Sequence, residues 1–307
     1  MSKEDTLIVL AAGRPHRGSK PSLLRAPGIE GRVMDWVLRA FGVNNVKPHL
    51  MLGYHSKEIS EFYPDIPHTV NSDWNKMKSA GTFLLSPFDQ RENCYATYSD
   101  ILFRKSTIDS LRQSKKPISI VVDSFWRQRY KGRSEADFQR CEKVIVKNGK
   151  AKKLGVNLDI ETANSEFVGV SRFSGKAIEM IKRIQSEKQN SLKIRNLSGL
   201  IDIPISRGLE AEAIDVEGDW AELNNPEDVA RFILGTKAKT LSRLRSLLSL
   251  SQIEEVFMFN LEEWTTNSKI IIDSIIKKYQ GCKVVVRSSA LTEDGFDSTN
   301  AGAFTSV

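Results

Sequence analysis

Residues 7–24 read LIVLAAGRPHRGSKPSLL, and no other stretch limits the possible folds as sharply. Four apolar residues, Leu7, Ile8, Val9 and Leu10, run unbroken and stop at Ala11-Ala12-Gly13. Such a run is too short for a helix and suits a strand buried on both faces of a parallel sheet. A basic loop with Arg14, Arg17 and Lys20 follows, and Pro21 closes it. Small residues after a buried strand let backbone N–H groups approach a phosphate, whose charge Arg and Lys can neutralise. The plainer alternative is a buried edge strand with a solvated loop.

The chain beyond repeats the alternation. Helices are predicted over 32–41, 56–62 (with Ser56 as N-cap), 79–86, 174–186 and 226–232. Strands are predicted over 47–52, 67–70, 95–98, 118–122, 166–170 and within 208–216. A hairpin is expected over 141–154, because Asn148-Gly149 supplies the positive φ that a two-residue turn needs. Strands alternating with helices imply a mixed, mostly parallel sheet with helices on both faces, in which ligands bind beyond the carboxyl ends of the strands. Gly13, Gly53, Asn71 and Asp100 each follow a predicted strand and would share that edge.

Composition narrows the function. The 307 residues allow two domains, and 40% hydrophobic with 27% charged residues is ordinary for a chain with a real core. No apolar run of about 18 residues is present and the N-terminus lacks a signal-peptide layout, so neither membrane insertion nor secretion is expected. Cys94, Cys141 and Cys282 are odd in number and widely spaced, which suits a reducing cytoplasm better than a disulfide framework. The net charge of +7 is spread along the chain. It suits a nucleotide or another polyanionic small substrate better than nucleic acid.

Taken together, Leu10-Ala11-Ala12-Gly13, Arg17, Lys20-Pro21, Gly53-Tyr54, Asn71, Trp74, Ser79, Tyr98-Ser99-Asp100 and Trp220-Ala221-Glu222-Leu223-Asn224 resemble the nucleotidyltransferases, over residues 5–234. The Gly-Tyr turn and the Trp-x-Glu ending resemble the choline-phosphate cytidylyltransferase branch, which implies CTP. The resemblance implies a Rossmann-like sheet and a Mg²⁺ held by Asp100 and Asn224. It also implies a nucleotide site at Leu10, Ala11, Ala12, Gly13, Arg14, Asn71 and Ser79. Arg17 would hold the leaving phosphates and Lys20 the α-phosphate. Two departures stand out: Pro15-His16 replaces the usual second Gly, and Asn224 replaces the usual final Asp. For a phosphorylated small-molecule acceptor, Asp123, Arg129, Tyr130, Arg133 and Glu222 are candidates. The same residues also read as a strand end and a solvated basic loop. Trp220 reads as core.

Residues 235–307 have a different character. A basic helix over 235–250, a strand over 253–259, a turn over 261–264, a helix over 268–279 and a strand over 283–286 are predicted. Arg287-Ser288-Ser289-Ala290, Glu293-Asp294 and Ser298-Thr299-Asn300-Ala301-Gly302-Ala303-Phe304 then resemble the opening of the ATP-binding domain of phosphoenolpyruvate synthases. That implies an α+β, ATP-grasp-like fragment in which Arg287 contacts ATP, with the remainder of a kinase as partner. A transferase at 1–234 joined to such a fragment resembles the enzymes of capsule phosphoramidate biosynthesis. In these a kinase phosphorylates L-glutamine and a CTP:phosphoglutamine cytidylyltransferase caps the product. Transfer of CMP to phosphoglutamine is the expected activity, with phosphocholine transfer or a non-catalytic docking role as alternatives, and a homo-oligomer is possible.

Overall fold

The structure is a computed structural model that describes residues 5–15, 18–27, 31–42, 46–130, 133–235, 237–245 and 248–289. The chain divides into two units, Met1–Val229 and Ala230–Val307.

The first unit opens with β1 (Asp5–Ala11), α1 (Val33–Phe41), β2 (Val46–Leu52), α2 (Ser56–Phe62), β3 (His68–Val70), α3 (Ser79–Leu84) and β4 (Asn93–Tyr98). It continues through β5 (Ile101–Phe103), α4 (Lys105–Gln113), β6 (Ile118–Asp123), α5 (Trp126–Arg129), α6 (Glu135–Arg140), β7 (Lys143–Lys147) and β8 (Lys150–Gly155). It ends with β9 (Ser165–Ser174), α7 (Gly175–Leu192), α8 (Leu197–Ser206), β10 (Ala211–Asp215), β11 (Trp220–Glu222) and the start of α9 (Pro226–Leu234). Nine strands form one sheet in the order β3-β2-β1-β4-β9-β6-β10-β8-β7. Leu7, Ile8 and Val9 are fully buried, as an apolar run in a central parallel strand must be.

The sheet is parallel across β3, β2, β1 and β4. Beyond that point it is mixed: β10 runs parallel to β6, and β8 and β9 are the reversed strands. Strand β9 runs antiparallel to both β4 and β6, and β7 and β8 form an antiparallel hairpin. A sequence run marks a strand but not its direction, so the reversal was not readable there. Asn148 (φ 51°) and Gly149 (φ 68°) make the expected two-residue turn. His55, not Ser56, precedes α2 as its N-cap, with φ 51°, and its Nδ1 lies 2.7 Å from Glu58 Oε2. Helix α8 was not anticipated, because Ile201, Ile203, Pro204 and Ile205 are poor helix formers. It forms because Leu197, Leu200 and Ile201 are buried in the core between the sheet and helices α3 and α7. Tertiary burial outweighs local propensity here.

The second unit holds α10 (Lys237–Arg245) and α11 (Leu261–Lys278). The expected turn over 261–264 is the first turn of α11. Asn260 Oδ1 accepts the Glu263 N–H (2.7 Å), and Glu263 Oε2 accepts the Asn260 N–H (2.7 Å), a capping box that extends the helix backwards. No strand forms over 253–259 or 283–286 among the described residues. A strand needs a pairing partner, and Val284, Val285 and Val286 are exposed. Arg287 is exposed; Glu293-Asp294 and residues 298–304 lie outside the described residues. In α11, Ile271 is buried while Ile272 and Ile276 are exposed. No described helix is long and apolar enough to cross a membrane.

Candidate active site

Strands β1, β2, β3 and β4 are adjacent and parallel, so their carboxyl ends form one rim. Ala12-Gly13, Gly53-Tyr54, Asn71 and Ser99-Asp100 all sit on it, as the spacing requires. Leu10, Ala11 and Ala12 are buried, whereas Gly13, Arg14 and Lys20 are exposed. Arg17 lies outside the described residues. A Cβ on Gly13 would meet nothing within 4 Å, so the turn faces open space. At Gly53 the opposite holds: a Cβ would lie 2.6 Å from the Ala12 carbonyl oxygen and 2.6 Å from Trp74 Cβ. The two turns are stitched together where Tyr54 N–H donates to that carbonyl (2.9 Å). The Tyr54 hydroxyl donates to the Ser19 carbonyl (3.3 Å), and Arg14 stands 5.9 Å from its ring centre. Tyr54 thereby ties the basic loop to the second turn.

Asp100 follows β4, and the short antiparallel pair β5–β11 aligns Glu222 with Ile101. This pairing brings Asn224 to Asp100 across 124 residues: Asn224 Nδ2 donates to Glu222 Oε1 (3.1 Å) and, at 3.5 Å, to Asp100 Oδ2. Burial, and then the Glu222 carboxylate, push the Asp100 carboxyl up to about 7. Asn224 Oδ1 is buried with no hydrogen-bond partner. Two carboxylates bridged by one amide nitrogen, with an unsatisfied amide oxygen on the same side chain, are oxygen donors of the kind a hard divalent cation such as Mg²⁺ takes. The expected pair Asp100 and Asn224 is therefore brought together, with Glu222 beside it.

No protein-family model matches the chain. Over 216 residues it is 19% identical to the CTP:phosphoglutamine cytidylyltransferase of Campylobacter jejuni, an alignment that takes in 64% of this chain and 85% of that protein. Its structure is similar to the inositol-1-phosphate CTP transferase of T. maritima, with TM-score 0.56 and 20% identity over 76% of this chain and 97% of that one. It is also similar to the CTP:phosphocholine cytidylyltransferase of Streptococcus pneumoniae, with TM-score 0.53 and 14% identity over 75% and 97% of the two chains. The fold is that of the nucleotidyltransferases.

Within this nucleotidyltransferase fold, several expected ligand residues turn out to be engaged internally. Asn71 is buried; its Nδ2 donates to Thr82 Oγ1 (3.1 Å) and its Oδ1 accepts the Asp73 N–H (3.0 Å). Ser79 Oγ accepts the Leu197 N–H (2.8 Å) and pairs with the Tyr98 hydroxyl (3.2 Å). Both side chains thus hold the protein's own elements together. Asp123 is fully buried and accepts Trp220 Nε1 (2.8 Å), Phe125 N (2.8 Å) and Gly218 N (2.9 Å). Arg129 donates to Asp228 Oδ2 (2.5 Å) and the Trp220 carbonyl (2.9 Å), with its guanidinium 3.8 Å from the Trp220 ring centre. Arg133 reaches the same Asp228 oxygen (2.6 Å) and lies 3.9 Å from Glu222. Tyr130 is buried and donates to Glu166 Oε1 (2.6 Å). The expected basic acceptor clamp is thus an internal brace, with Trp220 in the core as expected. Of the acceptor candidates only Glu222 faces Asp100.

Sequence reading assigned no role to the side chains of Tyr98, Glu142 and Glu166. The Tyr98 hydroxyl donates to Glu142 Oε1 (2.6 Å), and Glu142 Oε2 accepts the Ser198 N–H (3.1 Å). The Tyr98 ring fills the space over Gly169 (φ 93°), where a Cβ would approach it to 2.4 Å. This fixes the end of β4 just before Asp100. Glu166 is 5% exposed, and its Oε2 has no hydrogen-bond partner. A lone Glu at the start of a strand carries no sequence signal beyond its charge.

Proposed function

We propose that residues 1–234 form a Mg²⁺-dependent cytidylyltransferase that moves CMP from CTP to phosphoglutamine and releases pyrophosphate. The observation that carries the reading is the meeting of Asp100, Glu222 and Asn224, whose amide nitrogen reaches both carboxylates, on the rim that the ends of β1 and β4 share with the Gly13 turn. Fold alone does not select a reaction, so the site must. A phosphoryl oxygen of the acceptor attacks the α-phosphorus in line, the bond to the bridging oxygen breaks, and pyrophosphate leaves. Such a reaction needs positioning and charge neutralisation more than covalent help.

The backbone of residues 11–13 borders the base and ribose. Lys20, exposed on the loop, neutralises charge at the α-phosphate. Arg17 is assigned the leaving phosphates on the sequence motif. Mg²⁺ on Asp100 and Asn224 would supply Lewis-acid neutralisation between donor and acceptor. Support for CTP and phosphoglutamine comes from the 19% identity to the Campylobacter jejuni protein. On the sequence resemblance, the second unit is read as the opening of a kinase ATP-binding domain with Arg287 toward ATP.

The test is pyrophosphate release from CTP and Mg²⁺ with phosphoglutamine or phosphocholine. Release at least about tenfold faster with phosphoglutamine is expected, a difference of about 1.4 kcal/mol in transition-state binding. Equal or faster release with phosphocholine moves the assignment to that substrate. No release with either favours a non-catalytic docking role.

A further inference from the structure

Strand β9 is antiparallel to its neighbours, so its first residues lie where β4 and β6 end. Glu166 pairs in register with Asp123, the last residue of β6, and so stands on the same rim as Asp100, one strand away. One of its oxygens is occupied by the Tyr130 hydroxyl at 2.6 Å, and the other is unpartnered although the residue is 95% buried by its 5% exposure. An acceptor oxygen left unsatisfied in the interior is costly, and more so on a carboxylate.

The charge around it is unbalanced. Around Glu166 stand Arg129, Tyr130, Glu222, Asp123 and Cys141, and its register partner on β7 is the buried Lys143. Of the two cations, Lys143 spends its ammonium on the Gln139 and Cys141 carbonyls, and Arg129 is bonded through its terminal nitrogens to Asp228 and the Trp220 carbonyl, with Nε unpartnered. Asp100, Asp123, Glu166, Glu222 and Asp228 thus outnumber Arg129, Arg133 and Lys143, an excess that a cation at Asp100 relieves at one end only. A sugar hydroxyl can donate to Glu166 but cannot neutralise it. A quaternary amine can neutralise it but has no N–H to donate. A protonated amine does both.

We propose that Glu166 is the acceptor-specificity residue of this site, its free Oε2 receiving an N–H of a protonated amine carried by the phosphorylated acceptor. This rests on the transferase reading above and adds the chemical feature by which the acceptor is selected.

The test compares the full-length chain with Glu166→Gln on phosphoglutamine and on Nα-acetyl-phosphoglutamine, with CTP affinity measured alongside. Loss of one charge-assisted hydrogen bond predicts a fall in kcat/KM of roughly 10–100-fold for the free amine. The acetylated acceptor, a poor substrate for both forms, should change by less than about threefold, and CTP affinity should not change. An equal fall for both acceptors, or a loss of CTP affinity, would show that Glu166 only braces Tyr130 and would overturn the proposal. If neither form releases pyrophosphate, the transferase reading fails separately, and calorimetry with phosphoglutamine alone decides. Binding weakened by the same factor in Glu166→Gln supports the amine site, and unchanged binding overturns it. Tyr130→Phe keeps the carboxylate and controls for packing: it should retain the preference for the free amine over the acetylated acceptor, and loss of that preference would count against Glu166.

Discussion

Asp100 carries more than its position. Burial and Glu222 raise its folded-state value to about 7 from an ordinary 3.8, so across that interval the folded chain holds a proton that the unfolded chain has released. Stability of the cation-free protein therefore falls as pH rises through this window and levels off above it. Asp100→Asn should flatten that slope, raise the unfolding midpoint in EDTA above pH 7, and abolish pyrophosphate release. Urea unfolding at several pH values, run beside the transferase assay, checks all three. Glu166 is pushed up to about 8 by burial and contributes with the same sign, so the difference between wild type and variant is the quantity to read. A purely structural Asp100 would instead leave the variant less stable at every pH. Mg²⁺ should restore stability to wild type above pH 7 and not to the variant.

Elements explain which residues could be read in advance. The rim was legible because each parallel strand ends on a small or polar residue, and Gly53 is the sharpest case. Gly53→Ala forces a Cβ against the Ala12 carbonyl and Trp74, which should cost about 1–3 kcal/mol and raise KM for CTP by displacing the adjoining loop. Thermal melts and CTP kinetics report the two effects separately. Asp100 and Asn224 were legible as an ordered motif. The brace was not. Whether Arg129 and Tyr130 meet solvent or each other's partners depends on Asp228 and Glu166, 99 and 36 residues further on, and no local pattern encodes that. Asp228→Ala strands two guanidinium groups in the interior and should cost about 3–5 kcal/mol. Acceptor KM measured well below the lowered melting temperature should stay near wild type, whereas a true clamp would lose acceptor binding first. The start of α11 was a readable feature overlooked: Asn260-x-x-Glu263 is a helix-start signal, yet the segment after it reads as a turn when judged on apolar spacing alone.

Across the whole molecule the two units differ in how far they bury their apolar residues. The first holds a continuous core under its sheet, while Leu250, Leu261, Ile270 and Val285 of the second are exposed. A chain ending after Leu234, which keeps all of α9, should retain pyrophosphate release within about threefold of the full chain. Comparing the initial rates of the two forms tests this, and a collapse of activity would mean that the transferase needs the second unit. The reversed strand has a wider consequence. Because β9 enters the sheet backwards, its end of the rim is reached directly from the hairpin and helices that precede it, whereas the other end hangs from β1 to β4. On the transferase reading proposed above, rewriting that single excursion of the polypeptide would alter the choice of co-substrate and leave the turns after β1 and β2 untouched.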